Sequence, residues 1–88
     1  MRYKCMCCGN YTLPEISAGN YNICPVCYWE DDIVQLNDPN FEGGANEVSL
    51  NQARINYKSF GASSKKYLDK VRKPLDEEKP EYNLFNEN

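Results

Sequence analysis

The sequence predicts an α+β fold in which a small β part, built on two cysteine knuckles, packs against one or two helices. Three observations predict it. All five cysteines of the 88 residues lie before residue 28, and four of them form two C-x-x-C pairs. Short strand-like segments lie beside these pairs, and an amphipathic helical pattern follows them. A chain this short gains only marginal stability from its core, so disulfides or a bound metal are expected to help.

Composition limits the classes of function. The chain is 41% hydrophobic and 26% charged, which is typical of a water-soluble globular protein. No apolar run approaches the roughly 20 residues that span a bilayer, and the N-terminus lacks a signal-peptide pattern, so we expect a cytoplasmic protein without membrane contact. The net charge of -3 argues against a nucleic-acid binder. The absence of histidine excludes Ser-His-Asp and Cys-His catalysis.

Two strand-like segments belong to the cysteine-rich part. Tyr11–Leu13 ends before Pro14, and residues 21–23 place Tyr21 and Ile23 on one face of a strand with period two. The residues between them, 17–20, read Ser-Ala-Gly-Asn, which is typical of a turn. We therefore predict two short strands in a hairpin-like arrangement that brings the cysteine pairs together.

The second part of the chain is predicted to be helical, starting at residue 50. Ser49 is a suitable N-cap and Gln52 completes a capping box, while Val48 and Ala53 fit a hydrophobic staple. Gly61 suits the left-handed residue that ends a helix. The apolar stripe of the resulting helix, residues 50–60, contains Leu50, Ala53, Tyr57 and Phe60.

A second helix is predicted over residues 64–72, where it would bury Leu68 and Val71. It must end near Lys73, because Pro74 disfavours helical geometry in the residue before it.

The cysteine pairs carry the strongest chemical signal. Cys5 and Cys8 form one C-x-x-C, Cys24 and Cys27 form the other, and fifteen residues separate the pairs. This spacing is typical of a tetrathiolate zinc site and of zinc-ribbon-like folds, because one tight turn aims both thiolates of a pair at the same ion. We predict one Zn²⁺ bound by these four residues. Cys7 is left over and is predicted to be a small buried apolar side chain.

Three other interpretations of the cysteines compete with zinc. Two disulfides conflict with a reducing cytosol. A redox C-x-x-C is expected once, beside a βαβ unit, and here the motif occurs twice. Iron uses the same four-sulfur ligand set, so the sequence leaves iron as the alternative metal. A closed four-sulfur site offers no open position for catalysis, which favours a structural metal and a non-enzymatic protein.

The acidic run Glu30-Asp31-Asp32 follows the second pair and admits two interpretations. The three carboxylates could bind a divalent cation or act as acid and base in a hydrolase-like enzyme. They could instead cap a turn and pair with basic side chains, and the structural interpretation is favoured because runs of charge are most often solvated.

The last fifteen residues differ in charge from the rest of the chain. Residues 74–88 carry five acidic side chains and one lysine, a net charge of -4, whereas residues 1–73 carry +1. We divide the chain accordingly into a metal-binding domain, 1–73, and an acidic tail, 74–88, which shows no helical or strand period. The tail is either a mobile end or a recognition segment that docks on its own domain or on a partner. In the second case the residues expected to bind a partner are Glu77, Glu78, Tyr82, Leu84 and Phe85.

Four separated motifs together resemble one known family. CMCCG, CPVCYWEDD, DPNFEGGAN and SLNQARINYKSFG, in this order, are similar to the small bacterial cysteine-rich CPCC family over about residues 3–72. The resemblance implies zinc binding through the cysteines, and the family is mostly without an assigned activity. Met6 stands where the family has proline, a departure that removes no ligand.

The function predicted first is a small zinc-binding, non-catalytic protein-interaction module, in concrete form an immunity-type protein that neutralises a bacterial toxin. A basic toxin would suit the acidic tail by charge complementarity. The alternatives are the hydrolase-like enzyme and a nucleic-acid-binding zinc ribbon, which the net charge disfavours. The sequence does not indicate the oligomeric state.

Overall fold

The structure is a computed structural model that describes residues 2–86, with side chains through residue 84. Its helices and strands are β1 (Tyr3–Lys4), β2 (Tyr11–Leu13), α1 (Ile33–Asn37), α2 (Leu50–Phe60) and α3 (Pro80–Asn86). Two 3-10 turns lie at Lys65–Tyr67 and Asp76–Glu78. The predicted α+β, zinc-ribbon-like architecture is confirmed. Within residues 2–86, no helix has both the length and the apolar character needed to cross a membrane.

The first hairpin carries the first cysteine pair in its loop. β1 and β2 pair antiparallel, with Tyr3 opposite Leu13 and Lys4 opposite Tyr11, and the register shifts by a bulge between the two pairs. Leu13 is buried in the core. The strand predicted at Tyr11–Leu13 is therefore confirmed.

The strand predicted at residues 21–23 is wrong in its extent. Only Ile23 pairs, in an isolated antiparallel bridge with Glu30. Tyr21 has a φ of 59°, in the left-handed region, so the backbone turns there instead of extending. The turn is imposed from a distance, because the Asp31 carboxylate accepts the amides of residues 18–20 and its carbonyl accepts the amide of Tyr21.

Helix α1 was not predicted from the sequence. Its N-cap is Asp32, whose Oδ1 accepts the amides of Val34 at 2.8 Å and Gln35 at 3.3 Å, while Oδ2 accepts the amide of Ala45. One carboxylate therefore caps the helix and fixes the loop after it.

Gln35 joins α1 to the loop that precedes α2. Its fully buried amide donates to the carbonyls of Phe41, Asn46 and Val48 at 3.0–3.1 Å. Its Oε1 accepts from both the backbone and the side-chain amide of Asn46. The Asn46 side chain also exchanges two hydrogen bonds with the backbone of Glu30. This buried polar network substitutes for apolar core in the middle of the molecule.

Helix α2 confirms the prediction at both ends. Ser49 Oγ accepts the Gln52 amide at 3.1 Å, and Gly61 ends the helix at a φ of 88°. The second hydrogen bond of a capping box would join the Gln52 side chain to the Ser49 amide. The Gln52 side-chain amide instead donates to the Asn56 side chain. Leu50 and Ala53 are buried, as the stripe predicts.

The helix predicted over residues 64–72 is wrong: the segment forms a 3-10 turn and irregular turns, and Leu68 is exposed. Both of its ends are attached to the second cysteine pair, because the Ser63 amide donates to the Cys27 carbonyl and the Arg72 amide to the Pro25 carbonyl. These two hydrogen bonds attach the beginning and the end of the segment to the same knuckle, and the chain between them forms turns instead of a continuous helix.

The tail contains regular structure despite its lack of sequence period. Residues 76–78 form a 3-10 turn against β2, and Pro80 occupies the first position of α3, where proline is favoured. Glu78 is only 2% exposed and forms a bidentate ion pair with Arg72 at 2.8 and 2.9 Å. The first part of the tail is thus docked on its own domain.

Candidate metal centre

The first knuckle is a tight turn that places two sulfurs on the same side. The Gly9 amide donates to the Cys5 carbonyl at 2.9 Å, and the Cys5 amide donates to the Asn10 carbonyl at 2.8 Å. Gly9 has a φ of 82°, which lets the chain leave the turn without a side-chain clash. Cys5 and Cys8 consequently face the interior between the hairpin and the second knuckle.

The second knuckle repeats this hydrogen-bond pattern. The Tyr28 amide donates to the Cys24 carbonyl at 2.7 Å, and the Cys24 amide donates to the Trp29 carbonyl at 3.0 Å. Tyr28 has a φ of 69°, which is rare for a residue with a side chain. Its ring packs against Tyr67 with the centroids 4.7 Å apart. Two equivalent turns therefore face each other across the site.

The four predicted ligands converge on one point. The sulfurs of Cys5, Cys8, Cys24 and Cys27 all lie within 4.8 Å of one another and could hold a metal ion. The Cys5–Cys27 sulfur distance is 3.6 Å and the Cys8–Cys24 distance is 3.8 Å. A tetrahedron with metal–sulfur distances of about 2.3 Å has edges of about 3.8 Å, so the donor set fits a tetrathiolate centre. All four cysteines are free thiols, not disulfides.

The surroundings of the sulfurs are largely closed to solvent. Cys24 and Cys27 are 0% exposed, and the hydrophobic core cluster contains three of the four ligands together with Trp29 and Leu50. The Thr12 hydroxyl lies 3.0 Å from the Cys24 sulfur and can donate to a thiolate there. Such a hydrogen bond from outside the ligand set orients a metal ligand and offsets its charge.

The thiols perturb one another strongly. A hydrogen bond from the Cys27 thiol holds the pKa of Cys24 far below its ordinary value, and the same contact with Cys24 raises the pKa of Cys27. A divalent cation at the centre would stabilise the thiolate form of all four ligands and displace their protons.

Helix α2 supports the first knuckle from the other side. The Arg54 guanidinium donates from Nε to the Met6 carbonyl at 2.8 Å, and the Asn10 side-chain amide donates to the Tyr57 hydroxyl at 3.2 Å. Neither contact was predicted from the sequence. The partners lie 48 and 47 residues apart in sequence, and no local pattern links them.

A comparison with models of protein families shows to which family the chain belongs. The model of the cysteine-rich CPCC family matches residues 3–78, most of the 88 residues. The chain belongs to this family. The resemblance seen in the four motifs is therefore confirmed. No curated protein matches the chain. The CPCC match also extends to Glu78, past residue 73, where the sequence suggested that the metal-binding domain ends. The docked turn Asp76–Glu78 lies inside the matched region.

Met6, which stands in place of the proline of the CPCC motif, does not prevent the knuckle from forming. Its carbonyl accepts the Arg54 hydrogen bond, and its side chain packs against the core cluster. Cys7, the fifth cysteine, is buried in that cluster at 7% exposure. Cys7 is not among the four residues whose sulfurs converge.

Asp31 of the acidic run is committed to the backbone of the preceding loop. Its Oδ2 accepts the amides of residues 18–20 at 2.8–3.0 Å, and its Oδ1 accepts the Ser17 hydroxyl at 2.6 Å. Burial raises the pKa of Asp31, but the hydroxyl and the three amides outweigh it, and the pKa lies below its ordinary value. The Asp32 carboxylate likewise accepts hydrogen bonds from backbone amides, those of Val34, Gln35 and Ala45. The structural interpretation of the acidic run therefore has the better support.

The residues predicted to bind a partner fall into two groups. Glu78 points inward to Arg72, so its carboxylate is not available on the surface. Glu77 is about half exposed and lies 3.9 Å from Arg2, while Tyr82 and Leu84 of α3 are 47% and 75% exposed. The side chain of Phe85 lies outside the described residues. The outer face of the tail, which we define as Glu77, Glu81, Tyr82 and Leu84, is thus the accessible part.

Proposed function

We propose that this protein is a zinc-stabilised, non-catalytic protein-interaction module of the cytoplasm, whose acidic tail face binds a basic protein. In its concrete form it is an immunity-type protein that occupies a bacterial toxin and neutralises it. The observation that carries the first half of this proposal is the convergence of four cysteine sulfurs at the spacing of a tetrahedral centre.

Zinc is proposed over iron because a closed tetrathiolate is the usual structural zinc site. Structural Zn²⁺ contributes about 10–16 kcal/mol of binding free energy in small peptides, which would compensate for a core that relies on buried polar groups. Metal analysis of the purified chain tests this choice, since an iron tetrathiolate is coloured and a zinc tetrathiolate is not.

A non-catalytic role is supported by the way in which the acidic groups are used. Four cysteine ligands complete a tetrahedral shell and leave no position for a water or substrate. The carboxylates of Asp31 and Asp32 accept seven hydrogen bonds, six of them from backbone amides. The hydrolase-like alternative would need these same oxygens for a second metal or a proton transfer, so it has less support.

A basic protein partner is supported by the charge and apolar character of the tail. The tail carries a net charge of -4, and its outer face combines Glu77 and Glu81 with exposed Tyr82 and Leu84. Charge complementarity accelerates association, while apolar anchors in the centre of an interface supply most of the affinity. A basic nuclease-type toxin has the surface that such a face would complement.

The test is calorimetric titration of the metal-loaded chain against the product of the neighbouring gene, together with rescue of growth when the two are co-expressed. We expect a 1:1 complex that Glu77→Lys/Glu81→Lys weakens by at least about tenfold. The matched control is Glu15→Lys/Glu42→Lys, which makes the same change in net charge at two exposed sites outside the tail. Equal weakening by both pairs, or no complex with the wild type, would contradict the proposal.

A further inference from the structure

The near-neutral charge of residues 1–73 conceals two regions of opposite sign. Residues 1–53 carry two basic and seven acidic side chains, a net charge of -5. Residues 54–73 carry seven basic side chains and one acidic, a net charge of +6. The second half of α2 and the segment that follows it therefore form a basic region directly before the acidic tail.

The basic region contains an apolar groove of about 280 Å³. The groove lies between the end of α2 and the segment that continues to the tail, and its apolar lining is Tyr57, Phe60, Leu68, Val71 and Pro74. Lys73 and Arg72 also line the groove, and the Lys65 ammonium lies 5.8 Å from the centre of the Phe60 ring. The described residues that line the groove all fall within 57–74. An occupant should combine an apolar side chain with negative charge.

The chain carries a segment of this chemistry in α3. Glu81 and Leu84 are exposed on this helix, and Leu84, at 75%, is the most exposed large hydrophobic residue among those described. They are three residues apart and so lie on the same side of a helix. The tail also supplies Asp76, Glu77 and Glu87 to the total charge of the region.

We propose that the groove binds α3 of a second copy of this chain, so that two molecules exchange their acidic tails. Leu84 enters the groove against Phe60 and Leu68, and the carboxylates of the tail lie near Lys73 and Lys65. Two identical contacts related by a two-fold axis form a closed dimer. This self-association does not depend on the existence of a basic partner, although it uses the same tail face, so the two associations would compete.

The Arg72–Glu78 ion pair holds the segment between groove and helix in place. The chain passes from Pro74, which lines the groove, through the docked turn to α3. Because Glu78 neutralises Arg72 within the same molecule, Lys73 and Lys65 supply the attraction for the incoming tail. The exchange therefore leaves the Arg72–Glu78 ion pair intact within each molecule. The partner copy covers the two exposed apolar surfaces, the groove and Leu84 of α3.

Sedimentation equilibrium of the metal-loaded full chain tests the proposal. We expect a reversible dimer whose dissociation constant rises at least about tenfold between roughly 0.05 and 0.5 M salt, because the contact is partly electrostatic. Leu84→Asp, a tail variant, and Leu68→Asp/Lys73→Glu, a groove variant, should each weaken dimerisation by more than about tenfold, since burial of one leucine contributes at least that much. Ile55→Asp, at an equally exposed apolar site on α2 that does not line the groove, should change it little.

Mixing the two variants separates exchange from other modes of association. The groove variant retains an intact tail, and the tail variant retains an intact groove, so an equimolar mixture should form heterodimers through one remaining contact. A wild type that is monomeric at about 1 mM in low salt would overturn the proposal. So would a dimer that the mixture fails to restore, or retention on DNA by the groove lysines without dimerisation.

Discussion

Gly9 and Tyr28 occupy equivalent positions in the two knuckles. Each follows the second cysteine of its pair, each has a positive φ, at 82° and 69°, and each donates its amide to the carbonyl of the first cysteine. The geometry of the turn requires a left-handed residue at this position. At the first knuckle the chain meets the requirement with glycine. At the second it accepts backbone strain of about 1–2 kcal/mol, which the packing of Tyr28 on Tyr67 offsets.

This equivalence predicts that substitutions at the two positions destabilise the protein by different amounts. Gly9→Ala should destabilise the protein by about 1–2 kcal/mol, solely through its φ, because an added Cβ would meet only the end of the Lys4 side chain at 4.0 Å. Tyr28→Gly should cost less, since relief of strain compensates for much of the lost ring contact. Chemical denaturation of the metal-loaded protein measures both.

The control for this prediction is the Tyr67→Ala background. Without the partner ring, Tyr28 has strain and no compensating contact, so Tyr28→Gly should then stabilise the protein by about 1 kcal/mol. A destabilising effect of the same size in both backgrounds would show that the positive φ of Tyr28 is not a source of strain.

The metal ligands could be predicted from the sequence because their chemistry is local. Each C-x-x-C closes a turn with its own backbone, and only the meeting of the two turns requires the rest of the fold. Helix α2 was predictable for the same reason, since Ser49 and Gly61 supply its two caps. Local chemistry thus defines the centre and the helix packed beside it.

The errors of prediction occur where distant contacts override local pattern. Residues 21–23 have the composition of a strand, but the chain turns at Tyr21, where the Asp31 carboxylate holds the preceding amides and the Asp31 carbonyl accepts the Tyr21 amide. Residues 64–72 have a helical pattern but are attached at both ends to the second knuckle. Helix α1 has only five residues. Its cap Asp32 and its buried Gln35 form hydrogen bonds with the loop that follows the helix, and the sequence gives no sign of these contacts. The ion pair between Glu78 and Arg72 of the same molecule is another contact that the local sequence pattern does not predict.

Replacement of single cysteines should separate the ligands from the spare thiol. Cys24→Ser should lose the metal and unfold, because Cys24 is fully buried and a hydroxyl cannot replace its thiolate as a ligand. Cys7→Ser should retain one metal ion per chain and the native fold, with only the modest cost of a polar group at a buried site. Metal analysis and circular dichroism measure the two outcomes. Retention of stoichiometric metal by Cys24→Ser would refute the four-cysteine assignment.

Substitutions in the acidic run should distinguish a structural role from a catalytic one. Asp31→Ala should destabilise the protein by about 3 kcal/mol, because it leaves the three amides of residues 18–20 without their charged acceptor. Glu30→Ala, which removes a half-buried neighbouring carboxylate, should change stability by less than about 1 kcal/mol. Thermal denaturation gives both values. An Asp31→Ala protein of unchanged stability would instead indicate that the carboxylate serves another purpose.

Docking of the tail should depend on pH through Glu78. The ion pair with Arg72 holds the pKa of Glu78 below its ordinary value of 4.5. Its contribution to docking is therefore complete above pH 4.5 and is lost as the pH falls through the lower pKa of the docked state. At neutral pH, Glu78→Gln should increase opening of the turn about tenfold, since it removes a charge-assisted hydrogen-bond pair. Hydrogen exchange at the Leu75 amide, which donates to Glu78 at 2.9 Å, reports this opening directly.

Glu77→Gln is the matched control for tail docking, because Glu77 adjoins Glu78 but is half exposed and lies 3.9 Å from its nearest basic partner, Arg2. Exposed pairs of this kind contribute little, so its exchange rate should stay close to the wild-type value at every pH. Acid also protonates the cysteine ligands, but that effect is common to all three proteins and cancels in the comparison. The exchange rates of wild type and Glu78→Gln should converge well below pH 4.5. If their difference persisted unchanged there, the ionised Glu78 carboxylate would not be what holds the tail in place.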